Sequence, residues 1–168
     1  MNGRYTNERN IQMVIALMKA HNIHKVVASP GTTNITFVAS IQDDPFFEIY
    51  SSVDERSAAY IACGLSEESG EAVALTCTGA TASRNYLSGL TEAYYRKLPI
   101  LAITSTQHVG RIGQNIAQVI DRTEIQNDVA KLSVQIPTIH DAEDEWAYNV
   151  MLNLSLIHIS EPTRHLRI

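Results

Sequence analysis

The sequence predicts an α/β domain with a doubly wound, mainly parallel sheet and helices on both faces. Two observations carry this prediction. Short runs of strand length, most of them apolar, alternate along the chain with segments whose apolar residues recur at helical spacing. Strands that are apolar throughout are typical of a parallel sheet covered by helices on each side. The predicted strands are His24–Ser29, Phe46–Ser51, Ala72–Cys77, Ile100–Thr104 and Leu132–Ile136.

Capping and breaking residues set the predicted helix bounds. Asp54 stands where it can cap the third helix, and Gly70 follows that helix. Small polar residues are the preferred caps of the other helix starts, namely Thr6 or Asn7 for the first helix and Thr32, Thr33 or Asn34 for the second. The predicted helices are Asn7–His21, a helix from 32–34 to about Ile41, Asp54–Ser69, Thr81–Arg96, Ile116–Ala130 and Ala142–Asn153.

Composition is that of one globular domain and argues against several kinds of partner. The chain has 168 residues, of which 45% are hydrophobic, enough for a single domain with a core. The net charge of -5 and the scattered Lys and Arg argue against a nucleic-acid or anionic-membrane surface. No apolar stretch has the length needed to span a bilayer. Cys63 and Cys77 lie in apolar segments, so we expect reduced core thiols in a cytoplasmic protein and no metal site.

Ligands of doubly wound sheets bind beyond the carboxyl ends of the strands, and one loop at that edge holds two adjacent acids. Asp54 and Glu55 come directly after a predicted strand and start a helix. The helix dipole stabilises a carboxylate there, so capping alone explains one of them. Two acids allow Asp54 to cap while Glu55 projects into the crevice, where a carboxyl group beside a neutral heterocycle can exchange a proton. On the residues alone, the structural interpretation is the commoner one.

The other loops at this edge each have a structural and a functional interpretation. The segment SPGTTN (29–34) allows a ligand to approach Gly31 closely, but it also fits a turn followed by a helix cap. The segment TCTGATASRN (76–85) resembles a phosphate-binding turn but lacks GxGxxG and GxxxxGK[ST], so close helix packing explains it comparably well. The long polar loop after the fourth strand contains His108, a weak acid–base candidate because isolated loop histidines are usually just solvent-exposed.

Taken in order, these segments resemble the N-terminal pyrimidine-binding domain of the thiamine-diphosphate-dependent enzymes. That family includes acetolactate synthase, 2-oxoacid decarboxylases and the carboligase of menaquinone biosynthesis. The ordered set is specific, whereas no single segment is. The matching segments cover most of residues 8–140 and are VVASPGTTN (26–34), VDERSAAYIACGLSEESGEAVALTCTGATASRN (53–85), LSGLTEAYYRKLPILAITS (87–105) and IGQNIAQVID (112–121).

The resemblance implies a catalytic role for Glu55. In the family, the matching glutamate hydrogen-bonds a pyrimidine nitrogen of thiamine diphosphate and favours the imino tautomer, whose nitrogen removes the thiazolium C2 proton. Asp54 stands where many members have His, which is closer to the menaquinone-pathway carboligase and its relatives than to acetolactate synthase. Where the family usually has the segment SGPGATN, this sequence has CTGATASRN (77–85). By the same resemblance, the residues expected beside the cofactor are Pro30, Gly31, Thr78, Gly79, Ala80, Asn85 and Gln118.

The resemblance also implies that the other half of the site lies elsewhere. Family members bind the diphosphate and Mg²⁺ through a separate domain with a GDG motif, and no GDG occurs in this sequence. We therefore expect a diphosphate-binding domain or subunit as a partner, a 2-oxoacid as substrate, and a homodimer or larger assembly.

Two explanations of the missing half stay open, a natural small subunit and a truncated chain. The segment SLIHISEPTR (155–164) looks like a translated sequencing adapter, whereas LIHIS also fits a genuine strand. We expect a pyrimidine-binding domain at 1–153 and a non-native tail at 154–168. From a different functional class, a non-catalytic α/β module that binds a nucleotide also fits the fold.

Overall fold

The computed structural model describes residues 5–121 and 124–160, with side chains as far as Asn153. Within these ranges, helices and strands alternate from the first helix to the fourth strand, and a last helix follows a long irregular segment. The elements are α1 (Arg9–Ala20), β1 (Lys25–Ala28), α2 (Ile35–Gln42), β2 (Glu48–Ser51), α3 (Glu55–Ser69), β3 (Val73–Thr78), α4 (Thr81–Asn85), α5 (Leu87–Arg96), β4 (Ile100–Ser105), a 3-10 turn at Val109–Arg111, and α6 (Ala142–Ser160).

The four strands form one parallel sheet in the order β2-β1-β3-β4. In the centre, Val26 of β1 pairs with Ile49 of β2 on one side and with Ala74 of β3 on the other. The chain moves outward from β1 to β2 and then, after returning to β3, outward in the opposite direction to β4. This reversal lies between β1 and β3, and their carboxyl ends therefore flank the crevice where such sheets bind ligands.

Helices cover both faces of the sheet, which confirms the predicted fold class. Neighbouring residues of β1 face opposite sides, because side chains alternate along a strand. Val26 packs with Met18 and Phe37 in a cluster beneath α1 and α2. Val27 packs with Leu90 in a second cluster beneath α3 and α5. Both valines are fully buried, and each such side chain stabilises the fold by about 1.5–3 kcal/mol.

The helices α3 and α5 approach each other closely because a glycine lies at their contact. A Cβ atom at Gly89 of α5 would lie 2.4 Å from the Cβ of Ala59 in α3. The thiol of Cys63 donates a hydrogen bond of 3.4 Å to the Gly89 carbonyl. Cys63 and Cys77 are both buried, reduced thiols, as expected for core cysteines, and burial raises the pKa of the Cys63 thiol.

Several element predictions are wrong. The predicted helix 81–96 is two helices, α4 and α5, which separate at the buried Tyr86. The described part of the predicted helix 116–130 consists of turns and irregular chain, and the positive φ of Gln118 is incompatible with a helix there. Residues 132–136 form no strand, and Leu132 stays 52% exposed. Alternating apolar residues favour a strand, but tertiary contacts decide whether it pairs.

The last helix continues past its predicted end. It was expected to stop at Asn153, whereas α6 runs to Ser160. The LIHIS segment, for which a strand was the alternative, is therefore helical as far as Ser160. Residues 161–168 of the predicted tail lie outside the described residues, and the domain boundary at 153 stays a prediction.

Candidate active site at the carboxyl edge of the sheet

The structure brings together two of the predicted site residues from different loops. Glu55 is the first residue of α3, after β2, and Asn85 is the last residue of α4, after β3. The Asn85 side-chain amide donates a hydrogen bond of 2.9 Å to Glu55 Oε2. The helix break at Tyr86 ends α4 at this point and places Asn85 there. A half-buried carboxylate and an exposed amide thus face each other at the carboxyl edge of the sheet.

Asp54 takes the capping role that was expected of one of the two adjacent acids. Asp54 is the N-cap of α3, and its carboxylate accepts hydrogen bonds from the Ser57 backbone N–H at 2.7 Å and the Ser57 hydroxyl at 2.6 Å. The Ser57 hydroxyl and N–H hold the pKa of the Asp54 carboxyl below its usual value. Because Asp54 provides the cap of α3, the Glu55 carboxylate is not needed for capping, and it accepts the hydrogen bond from Asn85.

A buried asparagine organises the first loop. Asn34 is fully buried, and its side chain accepts a hydrogen bond of 2.8 Å from the Gly31 N–H and donates one of 3.0 Å to the Ser29 carbonyl. Asn34 also occupies the N-cap position of α2, as one alternative predicted, but without a side-chain capping bond. The hydrogen bonds of its side chain to Gly31 and Ser29 were not predicted from the sequence. An Asn three residues after a Pro-Gly turn is a signal for such a bond, because Asn side chains often bond nearby backbone.

Tight contacts lock the first, third and fourth loops together. A Cβ atom at Gly31 would lie 2.2 Å from Thr78 Cγ2, and one at Gly79 would lie 3.1 Å from the Ser105 carbonyl oxygen. The Thr33 hydroxyl donates a bond of 2.8 Å to that same carbonyl. The predicted residues Gly31, Thr78 and Gly79 therefore lie at one junction, where glycine allows close approach of the backbone.

Ala80 has a backbone conformation that is unusual for alanine. Its φ of 57° and ψ of -128° lie in a region that glycine adopts readily and other residues rarely do. Ala80 is buried and precedes α4, so it directs the chain from β3 into the helix that ends at Asn85. Strained backbone of this kind clusters at ligand sites.

A second polar group at this edge was also missed by the sequence analysis. Ser29 follows β1 and is 3% exposed, and its hydroxyl has no hydrogen-bond partner within the described ranges. Its N–H bonds the Thr76 carbonyl in continuation of the β1–β3 ladder. By strand alternation its side chain lies on the same face as Val27, which packs beneath α3. No sequence signal separates this serine from one that is simply part of a turn.

The remaining candidate residues, Pro30, Gln118 and His108, are exposed. Pro30 is exposed at the tip of the first loop. Gln118 is exposed, has a φ of 63°, and lines a cavity of about 580 Å³ beside β4 together with Ala80. His108 is exposed, and its Nδ1 accepts a bond of 3.0 Å from the Gly110 N–H, so it caps the 3-10 turn.

The described residues hold neither a metal-ligating cluster nor a membrane-spanning helix. Within 5–121 and 124–153, no group of three or more His, Cys, Asp or Glu side chains is arranged to hold a metal ion. No described helix combines the length and apolar character needed to cross a bilayer.

Comparison with known proteins identifies the class to which this fold and site belong. The family model "Thiamine pyrophosphate enzyme, N-terminal TPP binding domain" matches residues 10–125. The chain belongs to this family, and the resemblance noted in the sequence is confirmed.

Individual relatives agree with this class. The chain is 34% identical over 161 residues to a 2-succinyl-5-enolpyruvyl-6-hydroxy-3-cyclohexene-1-carboxylate synthase from Phocaeicola vulgatus, over 96% of this chain and 28% of that protein. It is 37% identical over 153 residues to the protein of the same name from Bacteroides thetaiotaomicron, over 91% of this chain and 28% of that one. The chain thus spans about 28% of the length of these curated relatives.

A solved structure shares the fold. Benzoylformate decarboxylase from Polynucleobacter necessarius superposes with a TM-score of 0.58 at 23% identity, over 65% of this chain and 20% of that chain. At this level of identity the likeness concerns the fold, and it agrees with the parallel sheet described above.

Proposed function

We propose that this chain supplies the pyrimidine-binding half of a thiamine-diphosphate site and that Glu55 is its catalytic carboxylate. The observation that carries the proposal is the Glu55–Asn85 pair. It joins the loops that follow β2 and β3 at the carboxyl edge of the sheet, and the family match covers both residues.

The residues at this edge fit an aminopyrimidine ring. Such a ring has nitrogens that accept hydrogen bonds and an amino group that donates them. Glu55 offers a half-buried carboxyl and Asn85 an amide with both a donor and an acceptor. The unpartnered Ser29 hydroxyl adds a further polar group on the same side of the sheet. The missing side chain of Gly31 leaves room for the Thr78 side chain, and that of Gly79 leaves room for the Ser105 backbone.

Each residue has a distinct task in this proposal. When bound, thiamine diphosphate supplies the carbanion chemistry that decarboxylation and carboligation require. Glu55 exchanges a proton with a ring nitrogen of the pyrimidine, and Asn85 orients the Glu55 carboxyl through its hydrogen bond. Asp54 caps α3 and so fixes where Glu55 begins the helix. Pro30, Gly31, Thr78, Gly79 and Ala80 form the walls around the ring, with Gln118 further along the same edge.

The complete enzyme needs parts that the described residues do not supply. We propose that a partner domain or subunit holds the diphosphate and Mg²⁺, and that the enzyme is cytoplasmic. By analogy with the synthases of the menaquinone pathway that resemble it, the enzyme decarboxylates a 2-oxoacid and joins the product to an acceptor. The isolated chain should show no turnover with Mg²⁺ and thiamine diphosphate, because half of the site is missing.

Binding of thiamine to the chain tests the proposal. Ligand-observed NMR should detect contact between the pyrimidine protons of thiamine and the wild-type chain. Glu55→Gln should weaken this contact about tenfold, because a hydrogen bond to a charged group contributes about 1.5–3 kcal/mol. Asp54→Asn is the matched control: it removes the neighbouring charge, Asn is also a good cap, and binding should be unchanged. Equal binding by wild type and Glu55→Gln would contradict the assignment of Glu55.

A further inference from the structure

Tyr86 separates α4 from α5, and its side chain is almost fully buried. It is the C-cap of α4 and stands at the N-cap position of α5, with a φ of -91° and a ψ of 4°. Its side chain is 2% exposed and belongs to the core cluster that contains Ala59 of α3 and Leu90 of α5. Because protein cores are closely packed, a buried aromatic ring at a helix junction fixes where the chain turns.

A hydrogen bond between two hydroxyl groups ties Tyr86 to the sheet. The Tyr86 hydroxyl is bonded to the hydroxyl of Thr104. Thr104 lies on β4 and pairs in register with Cys77 of β3, one residue before β3 ends at Thr78. The bond therefore joins the end of α4 to the carboxyl edge of the sheet. It is partly buried, and a buried hydroxyl that loses its partner destabilises the fold.

The short helix α4 is anchored at both of its ends. At its start the Ser83 hydroxyl donates a hydrogen bond of 2.8 Å to the carbonyl of the buried Ala80. At its end Tyr86 is bonded to Thr104. The helix has only five residues, and so short a helix depends on tertiary contacts for its position. Asn85 is exposed, so the neighbouring Tyr86, and not its own burial, holds it in place.

We propose that Tyr86 is a positioning residue for the Glu55–Asn85 pair. Its hydrogen bond to Thr104 fixes the end of α4, and the end of α4 fixes where the Asn85 amide stands. The amide nitrogen is thereby held 2.9 Å from Glu55 Oε2, which keeps the carboxyl in one orientation. The effect on catalysis rests on the proposed function of Glu55, whereas the effect on the Asn85 amide does not.

A purely structural role for Tyr86 makes a different prediction. A tyrosine that only fills the core has the same effect whether or not Asn85 is present. A residue that acts through Asn85 loses its effect on the site once Asn85 is removed, so the two substitutions are coupled. The hydroxyl bond can be removed from either side. Tyr86→Phe keeps the ring, and Thr104→Val keeps the shape of the side chain on β4.

NMR of the Asn85 side-chain amide in the chain without thiamine measures the positioning. One amide proton donates to the Glu55 carboxylate and should resonate downfield of a free amide, because bonds to charged acceptors are strong. Asn85→Ala identifies the signal by its loss. Thr104→Val should move the signal toward that of a free amide, whereas Thr104→Ser retains the hydroxyl and should leave it in place. An unchanged signal in Thr104→Val overturns the proposal.

Exchange of the C2 proton of thiamine diphosphate in the completed enzyme measures the consequence. Tyr86→Phe should slow exchange by about fivefold, which corresponds to the loss of one hydrogen bond. The same substitution should have no further effect in an Asn85→Ala background. Tyr95→Phe is the matched control, because Tyr95 is an exposed tyrosine of α5, and it should exchange at the wild-type rate. Circular dichroism confirms that each variant is folded.

The two experiments separate this proposal from the proposed function. If Glu55→Gln slows exchange but Tyr86→Phe does not, the positioning role is overturned. It is also overturned if Tyr86→Phe slows exchange equally with and without Asn85. If Thr104→Val moves the Asn85 signal while Glu55→Gln exchanges at the wild-type rate, the positioning role is supported and the catalytic role of Glu55 alone is overturned.

Discussion

Replacing Gly89 with alanine tests the packing that holds the two halves of the candidate site together. Glu55 begins α3, and Asn85 is just before α5, so the contact of these helices sets how the two residues meet. The new methyl group would lie 2.4 Å from Ala59 Cβ and 3.1 Å from the Ala59 carbonyl carbon. Because one neighbour is backbone, the helices must move apart.

The size of the effect follows from two opposing contributions. Overpacking a core contact costs about 1–3 kcal/mol, and exchanging glycine for alanine in a helix stabilises by up to about 1 kcal/mol. Gly64→Ala is the matched control, because it makes the same exchange in α3 where no atom lies within 4 Å. Helix propensity cancels in the comparison, so Gly89→Ala should be less stable than Gly64→Ala by about 1–3 kcal/mol.

Urea unfolding followed by circular dichroism measures both free energies of unfolding. If Gly89→Ala stabilises the chain as much as Gly64→Ala does, α3 and α5 are not in close contact at Gly89.

Two further substitutions test the local structure around the site. Asp54→Ala should destabilise the chain at neutral pH, because it removes the cap of α3. The pKa of the Asp54 carboxyl in the folded chain lies below its ordinary value of 3.8. The stabilisation from the charged cap is therefore fully present above pH 3.8 and is lost as the pH falls through the lower pKa of the folded state. The free energies of unfolding of wild type and Asp54→Ala, measured over a range of acid pH, should therefore converge below about pH 4. A difference that stays constant with pH would contradict capping by the charged Asp54. Ala80→Gly should raise the melting temperature by about 3 °C, because it relieves about 1–3 kcal/mol of strain at a cost in chain entropy of about 0.5–1 kcal/mol. A lower melting temperature would show that Ala80 is not strained.

Four of the five predicted strands and the start of α3 could be predicted because their signals are local, whereas the N-cap of α1 is Glu8 and not Thr6 or Asn7 as predicted. Apolar runs of strand length became β1, β3 and β4, and Asp54 caps α3 as its residue type indicates. The break at Tyr86 could not be predicted, since the residues around it have ordinary helix propensity and the ring is buried through contacts from other elements. The described residues between Ile112 and Ile136 show the same limit: the local pattern favoured a helix and a strand, and tertiary packing decided otherwise.

The candidate site was predicted in part. Glu55 was a candidate from its place after a strand, but only the family resemblance favoured catalysis over simple capping. Asn85 came from the resemblance alone, because no pattern in the sequence relates a residue at the end of α4 to one at the start of α3. The Asn34 network and the buried Ser29 hydroxyl depend on three-dimensional contacts between loops, which spacing along the chain does not encode.

The most direct test of the central claim is the exchange of the C2 proton of thiamine diphosphate in an enzyme completed by the diphosphate-binding half. Quenched-flow NMR in deuterium oxide measures this rate for wild type, Glu55→Gln and the Asp54→Asn control. If Glu55 activates the aminopyrimidine, Glu55→Gln slows exchange by about a hundredfold or more, while Asp54→Asn exchanges at the wild-type rate. Wild-type exchange in folded, cofactor-bound Glu55→Gln would contradict the claim.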